Sequence, residues 1–377
     1  MSPHAGHRDP FAGRIPITII TGFLGSGKST VLGVLLRHPA MHKAAVIVNE
    51  FGEVGIDHAL LADSTESMTL LPNGCLCCSV RTDLQDTLRE LFIKRRAGEV
   101  IDFDRVFIET TGLADPVPII HAVISDSMLA VHYRLDGVVT LVDAVNGGFT
   151  LTQMAEAVKQ VAVADRLVIT KTDLASGEEV AALRAQLRAV NPQAKQLEAV
   201  RGALDPMELS GLSFQRARID EVALARWLGP VDPPASSGAG DGRERLLMAE
   251  HSTGITTFCV WFDVPFSWQS FTAIVQVLTA LRGPDLLRVK GLVHLREEAG
   301  PVVVQGAQHL FHEPVTLESW PGDDRRSRIV FITRGLERDT VEALFRVIGA
   351  VAESTTPDGG ASGPAETSPL GIPHGRS

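Results

Sequence analysis

The sequence predicts an α/β protein: a doubly wound, mostly parallel sheet, followed by a smaller α+β domain. Three observations lead there. From Ile15 to about Val200, short β-rich runs alternate with helical stretches, the pattern of strands joined by crossover helices. Several of those runs are almost wholly apolar, as strands buried on both faces are. A Pro-, Gly- and Ser-rich break at residues 229–245 then separates this region from a second set of runs.

The expected strands of the first region are Ile17–Thr21, Ala44–Asn49, Thr69–Leu71, Arg105–Thr110, Gly137–Asp143 and Arg166–Thr170. The expected helices are Lys28–Arg37, Thr82–Arg96, Leu151–Val161 and Glu178–Val190. After the break come strand Thr256–Val264, helix Ser267–Leu281, strands Leu286–Leu295, Val302–Gln305 and Arg328–Thr333, and helix Glu337–Val347. The expected organisation is a short N-terminal segment (1–14), a nucleotide-binding domain (15–228), a linker (229–245), an α+β domain (246–350) and a disordered tail (351–377).

Composition narrows the function. The chain has 377 residues, 45% hydrophobic and 21% charged, with a formal net charge of −10. That balance argues against a nucleic-acid or anionic-membrane partner, because both need a basic footprint. No apolar stretch reaches the length of a membrane span and residues 1–14 lack the apolar core of an export signal, so a cytoplasmic location is expected. Three of the four cysteines, Cys75, Cys77 and Cys78, fall within four positions, and the fourth is Cys259. A disulfide inside such a cluster would be strained. Clustered thiols without an export signal point to metal ligation in a reducing compartment.

The string Gly22-Phe23-Leu24-Gly25-Ser26-Gly27-Lys28-Ser29 fits G-x-x-x-x-G-K-S, between a strand and a helix as a phosphate-binding P-loop requires. Glycines let successive backbone N–H groups curl around phosphate oxygens, and the helix N-terminus adds its dipole. Gly22, Gly25, Ser26, Gly27, Lys28, Ser29 and Thr30 form the expected phosphate-binding set. Lys28 would reach the β- and γ-phosphates and Ser29 would ligate Mg²⁺. Glu109, at the end of a strand, would serve the metal or the attacking water, and the Gly112 amide would sense the γ-phosphate. Residues 49–57, with three acids and two glycines, read as a second switch loop.

Thr170-Lys171-Thr172-Asp173 follows a late strand. A carboxylate there would accept from the imino and 2-amino groups of guanine, donors that adenine does not offer in that arrangement, and the Lys171 stem would lie over the base. The usual pattern is N-K-x-D, and Thr170 replaces its amide. The cluster in Gly74-Cys75-Leu76-Cys77-Cys78 offers soft ligands for Zn²⁺, Co²⁺ or Cu⁺. A turn at Gly74 is expected to aim Cys75 and a neighbouring thiol at one ion. Three thiolates leave a tetrahedral ion one ligand short, and Glu50 is the candidate oxygen ligand. Cys259, inside an apolar run, reads as a buried hydrophobe. His58, His121 and His132 are isolated and read as structural.

Together, TGFLGSGKST, NEFGEVGID, LPNGCLCCSVR, ETTGLADP, LVDA and TKTD resemble the CobW-like family of metal-handling P-loop GTPases, and RVKGLVHL resembles that family's C-terminal domain. The resemblance implies GTP hydrolysis coupled to handling zinc or cobalt, and a client metalloprotein that receives the ion. By that resemblance Gly22 to Ser29 bind phosphate, Thr170 to Asp173 read guanine and the three clustered cysteines bind metal. Val48 stands where some relatives carry a Glu, and long His-rich runs are missing. The competing readings are a cobalt-handling GTPase, a small-molecule P-loop kinase that would prefer ATP and ignore the thiols, and a nucleotide-binding metal sensor without turnover.

Overall fold

A computed structural model of the chain describes residues 13–49, 68–70, 76–80, 83–212, 227 and 254–354, with the backbone alone at 49, 68–70, 76–80 and 351–354. The expected linker at 229–245 and tail beyond 354 lie outside these residues. Two compact units emerge, one holding the described residues up to Gln186 together with 194–212, the other holding 187–193, 227 and 254–354.

The first unit is one sheet of eight described strands in the order β3-β4-β2-β5-β1-β6-β7-β8. They are β1 (Ile15–Gly22), β2 (Ala44–Asn49), β3 (Met68–Leu70), β4 (Leu76–Val80), β5 (Arg105–Thr110), β6 (Tyr133–Asp143), β7 (Arg166–Thr170) and β8 (Lys195–Ala199). Every pairing is parallel except β3 with β4. Parallel pairing brings the carboxyl ends of β1, β2, β5, β6 and β7 to one edge, the edge where such sheets bind ligands. Ile17, Ile19 and Ile20 of β1 are wholly buried because layers of helices cover both faces of a doubly wound sheet.

The helices are α1 (Lys28–Leu35), α2 (Leu84–Ala97), α3 (Val117–Ser125), α4 (Ser127–His132), α5 (Gly147–Gln153), α6 (Ala155–Ala162) and α7 (Gly177–Val190). Local chemistry sets their ends. Asp83 caps α2 by accepting from the Gln85 N–H, and Gly98 closes it in the left-handed conformation. Asp126 caps α4 by accepting from Met128 and Leu129.

Three expectations needed correction. The helix expected over Leu151–Val161 is two helices, α5 and α6, parted at Met154, whose φ of −118° and ψ of 110° are extended. The hydroxyls of Thr150 and Thr152 bond back to the carbonyls of Asn146 and Phe149, competing with a regular helix. Leu76–Val80, where no strand was expected, is strand β4, in which Cys77 pairs with Val46 and Cys78 with Ile47 of β2. Leu76 to Val80 is a run of small, apolar and β-branched residues that fits a pleated sheet. Strand β8 also appears where none was expected.

The second unit is an antiparallel sheet in the order β12-β11-β10-β14-β9, with β13 beside β11. Its strands are β9 (Ile255–Phe262), β10 (Leu286–Val293), β11 (Val302–Ala307), β12 (Leu310–Phe311), β13 (Val315–Thr316) and β14 (Ser327–Arg334). Helices α8 (Trp268–Arg282) and α9 (Arg338–Ser354) share its core of Phe258, Phe271, Ile274, Phe331 and Phe345. A capping box starts α8: Ser267 Oγ accepts from Ser270 N, and Ser270 Oγ accepts from Ser267 N. Burial pushes the Cys259 thiol up to about 12, so it stays protonated at neutral pH. No described helix is long and apolar enough to cross a membrane.

Candidate nucleotide site

The phosphate loop closes the end of β1. Gly22 has φ of 142°, and a Cβ there would lie 2.4 Å from the Leu141 carbonyl oxygen of neighbouring β6, so only glycine lets the loop leave between β1 and β6. Gly25 and Gly27 have φ of 73° and 88°, a left-handed conformation that glycine adopts without strain. A Cβ on Gly25 would meet nothing within 4 Å, so the loop is open above. Lys28 Nζ donates to the carbonyls of Gly22, at 2.8 Å, and Phe23, at 3.3 Å. Its ammonium thus stands across the loop that the sequence predicts for phosphate. Thr30 is exposed one residue beyond Ser29.

The adjacent strand β5 carries the acid that the sequence predicts for the metal or the attacking water. Ser29 Oγ donates to Glu109 Oε1 at 3.0 Å, and Glu109 is buried. A hydroxyl and a carboxylate in contact are hard oxygen donors of the kind Mg²⁺ takes, so these residues fit that ion. Thr110 Oγ1 donates to Thr21 Oγ1 at 2.8 Å, tying the ends of β5 and β1 together. Gly112 then packs directly on the phosphate loop: a Cβ there would lie 2.7 Å from the Leu24 backbone nitrogen. Sequence reasoning missed the residue that holds this turn. The buried Gln160 of α6 donates through Nε2 to the carbonyls of Gly112, at 3.1 Å, and Ala114, at 3.0 Å.

The base-reading segment follows β7. Thr170 Oγ1 donates to the Ser26 carbonyl at 2.8 Å, so the hydroxyl in the amide's place spends its proton on the phosphate loop. Lys171 adopts φ of 57°, an uncommon backbone for a non-glycine residue, and its Nζ reaches Asp143 Oδ2 at 2.8 Å. Asp143 also accepts from Val145 N and Asn146 Nδ2. Burial alone would raise the Asp143 carboxyl; the bonds from Lys171, Val145 and Asn146 outweigh it and hold the group below the ordinary carboxylate range. The LVDA string contained Asp143, yet nothing in the string marked its partner. Asp173 lies 3.7 Å from the exposed Arg201 Nε. Beside the phosphate loop runs a cleft lined by Phe23, Ser26, Asp143, Asn146, Thr150 and Gln160, among others.

The structure therefore brings together Gly22, Ser26, Lys28, Ser29, Glu109, Gly112, Thr170 and Lys171 at one sheet edge. Glu50 and Cys75 lie outside the described residues, and Cys77 and Cys78 are described by backbone alone. Strand β4, which carries them, pairs with β2, and β2 pairs with β5 so that Asn49 is level with both Val80 and Thr110. His132 stacks on Phe92 with centroids 3.8 Å apart.

A P-loop at the end of β1, a hydrogen-bonded Ser–Glu pair and a T-K-x-D loop at one edge of a parallel sheet define a P-loop nucleotide-binding protein. Residues 16–198 match the CobW/HypB/UreG nucleotide-binding domain and residues 255–348 the cobalamin synthesis protein cobW C-terminal domain. The chain belongs to the CobW/HypB/UreG family of P-loop GTPases. It is 34% identical over 331 residues to the zinc chaperone YjiA of Escherichia coli, a match spanning 88% of this chain and 98% of that one. To the zinc chaperone CobW of Pseudomonas aeruginosa it is 30% identical over 369 residues, 88% of this chain and 91% of that one. The crystal structure of Zn(II)-bound YjiA GTPase from E. coli superposes with a TM-score of 0.70 at 32% identity, covering 89% of this chain and 99% of that one.

Proposed function

We propose that this protein is a GTP-hydrolysing zinc chaperone that passes its ion from the Cys75, Cys77 and Cys78 cluster to a client metalloprotein. One observation carries the coupling: strand β4 of the cluster, strand β2 leading into the switch loop at 49–57, and strand β5 ending in Glu109 are consecutive neighbours in one sheet. A change at the γ-phosphate thus has a short path to the thiols. Zinc handling is further supported by the zinc chaperones to which the chain is similar.

In this reading Lys28 exchanges its two loop carbonyls for phosphate oxygens, and Ser29 and Glu109 are the residues that would hold Mg²⁺, which would supply positive charge to the phosphates. Gly112 N–H meets the γ-phosphate. Asp173 leaves Arg201 to accept from guanine, and the Lys171 stem, anchored by Asp143, covers the base. GTP orders the switch loop so that Glu50 completes or shields the thiolate site, and hydrolysis releases both. Cobalt is the alternative cargo, since thiolates accept it too.

The test is zinc affinity by competitive chelator titration, in GDP and in a non-hydrolysable GTP analogue, for the wild type and a Cys75→Ser/Cys77→Ser/Cys78→Ser variant. The expected result is a shift between nucleotides that disappears in the variant. Equal affinity in both nucleotides would sink the proposal, because a ligand with no differential affinity shifts no equilibrium.

A further inference from the structure

Gln160 is the most deeply buried polar side chain near the site that the roles above leave unused. It is 0% exposed and sits among apolar neighbours on α6, with Ala157, Val158 and Val161 all buried. Burying a primary amide is costly unless its hydrogen bonds are met, so its placement calls for a reason. The amide nitrogen donates to two backbone carbonyls, Gly112 and Ala114. Carbonyls cannot donate, so this network fixes which end of the amide faces them. The oxygen end points elsewhere: among the described residues Gln160 Oε1 has no hydrogen-bond partner, nor has the buried Ser26 Oγ of the phosphate loop, and both residues line the same cleft. The backbone of Gln160 is itself pinned, its carbonyl accepting from Thr140 Oγ1 of β6 at 2.7 Å.

The two carbonyls bracket Leu113 and belong to the turn whose Gly112 rests on Leu24 of the phosphate loop. Ala114 N donates to Thr111 O within the turn, Thr110 Oγ1 also donates to Thr111 O, Lys159 pairs with Asp115 just beyond it, and Gln160 adds two bonds to the turn's own carbonyls from a helix anchored to the sheet.

We infer that Gln160 is a positioning residue that holds the Gly112–Ala114 turn docked on the phosphate loop, and so favours nucleotides that carry a γ-phosphate. This rests on the GTPase reading above. The side chain touches neither nucleotide nor metal. It biases the turn whose Gly112 N–H does, so its loss weakens GTP binding selectively. GDP, which offers that amide nothing, is left unaffected.

The experiment measures affinities for fluorescent GDP and for a fluorescent non-hydrolysable GTP analogue, with Mg²⁺, in full-length wild type, Gln160→Met and Thr140→Val. Methionine keeps the length of the side chain and removes the two donated bonds. Gln160→Met is expected to weaken the GTP analogue about tenfold, equivalent to about 1.4 kcal/mol, and GDP less than about twofold. Thr140→Val removes the bond that pins the Gln160 carbonyl and is expected to shift the affinity ratio in the same direction by a smaller factor. Equal weakening of both nucleotides in Gln160→Met would reduce Gln160 to a packing residue and overturn the inference, as would no change in either. Failure of the wild type to bind the GTP analogue would instead overturn the GTPase reading.

Discussion

The two units of the chain bury polar groups for different ends. In the first, Thr21, Ser26, Glu109, Thr110, Thr140, Asp143, Gln160 and Thr170 are all buried, and they gather at or beside the carboxyl ends of β1, β5, β6 and β7. In the second, the core of Phe258, Phe271, Phe331 and Phe345 under the helices is apolar, the buried Ser270 and Thr333 serve local turns and caps, and the buried cations Arg288 and Lys290 alternate along β10 with the core residue Val289. The contrast teaches where binding energy comes from in this fold. In the parallel sheet, buried polar side chains at the carboxyl ends of the strands find partners in adjacent loops. In the antiparallel sheet, the face under the helices is spent on packing.

The largest effect that would sharpen this contrast is Phe271→Ala. Phe271 is 1% exposed in the second core, and truncating a buried Phe costs about 3–5 kcal/mol. The expected outcome is an early melting transition for the second unit in calorimetry, with GTP-analogue affinity nearly unchanged. A collapse of nucleotide binding would break the comparison by showing that the two cores fold as one.

Next comes Gly22→Ala. The added Cβ would lie 2.4 Å from Leu141 O and 2.7 Å from Ser26 Oγ, and strain of roughly 3 kcal/mol at such a position converts to a loss of nucleotide affinity on the order of 100-fold. Isothermal titration would read it, and near-normal binding would refute the tight-exit account of the loop.

The smallest is Asp143→Asn, which keeps the bond to Val145 N and removes the charge beside Lys171. Because Lys171 is about a third exposed and solvent screens the pair, the expected loss of GDP and GTP affinity is about fivefold. The folded carboxyl lies below its ordinary value. Its contribution to stability is therefore complete above the unfolded value and is lost as pH falls through the folded one. Thermal melts should show a wild-type advantage over the variant that is flat from about pH 5 to 8 and shrinks below about pH 4. An advantage that instead varied near neutrality would assign it to another group.

Much of the first unit was legible because its signals are local. Ala44–Asn49, Arg105–Thr110 and Arg166–Thr170 are read correctly to the residue, since a strand buried on both faces declares itself as an unbroken apolar run. The phosphate loop was legible for the same reason: its glycines, lysine and serine are consecutive. Gln160 and Asp143 were not, because their partners lie 48 and 28 residues away and no spacing rule links an α6 amide to a turn after β5. Strand β4 escaped because its thiols invited a chemical reading where the backbone follows pairing with β2. The break at Met154 escaped because the run Leu151–Val161 is helical in composition on both sides of it.

The hydrogen bond from Thr170 to the Ser26 carbonyl carries a consequence for how this protein measures its ligand. On the proposed function, it ties the loop that would grip one end of a nucleotide to the loop that would inspect the other. Offered as separate fragments, guanosine and inorganic triphosphate would each tighten the other's grip, and by thermodynamic reciprocity to the same degree. Discrimination against a wrong base would then be felt at the phosphates as well as at the base.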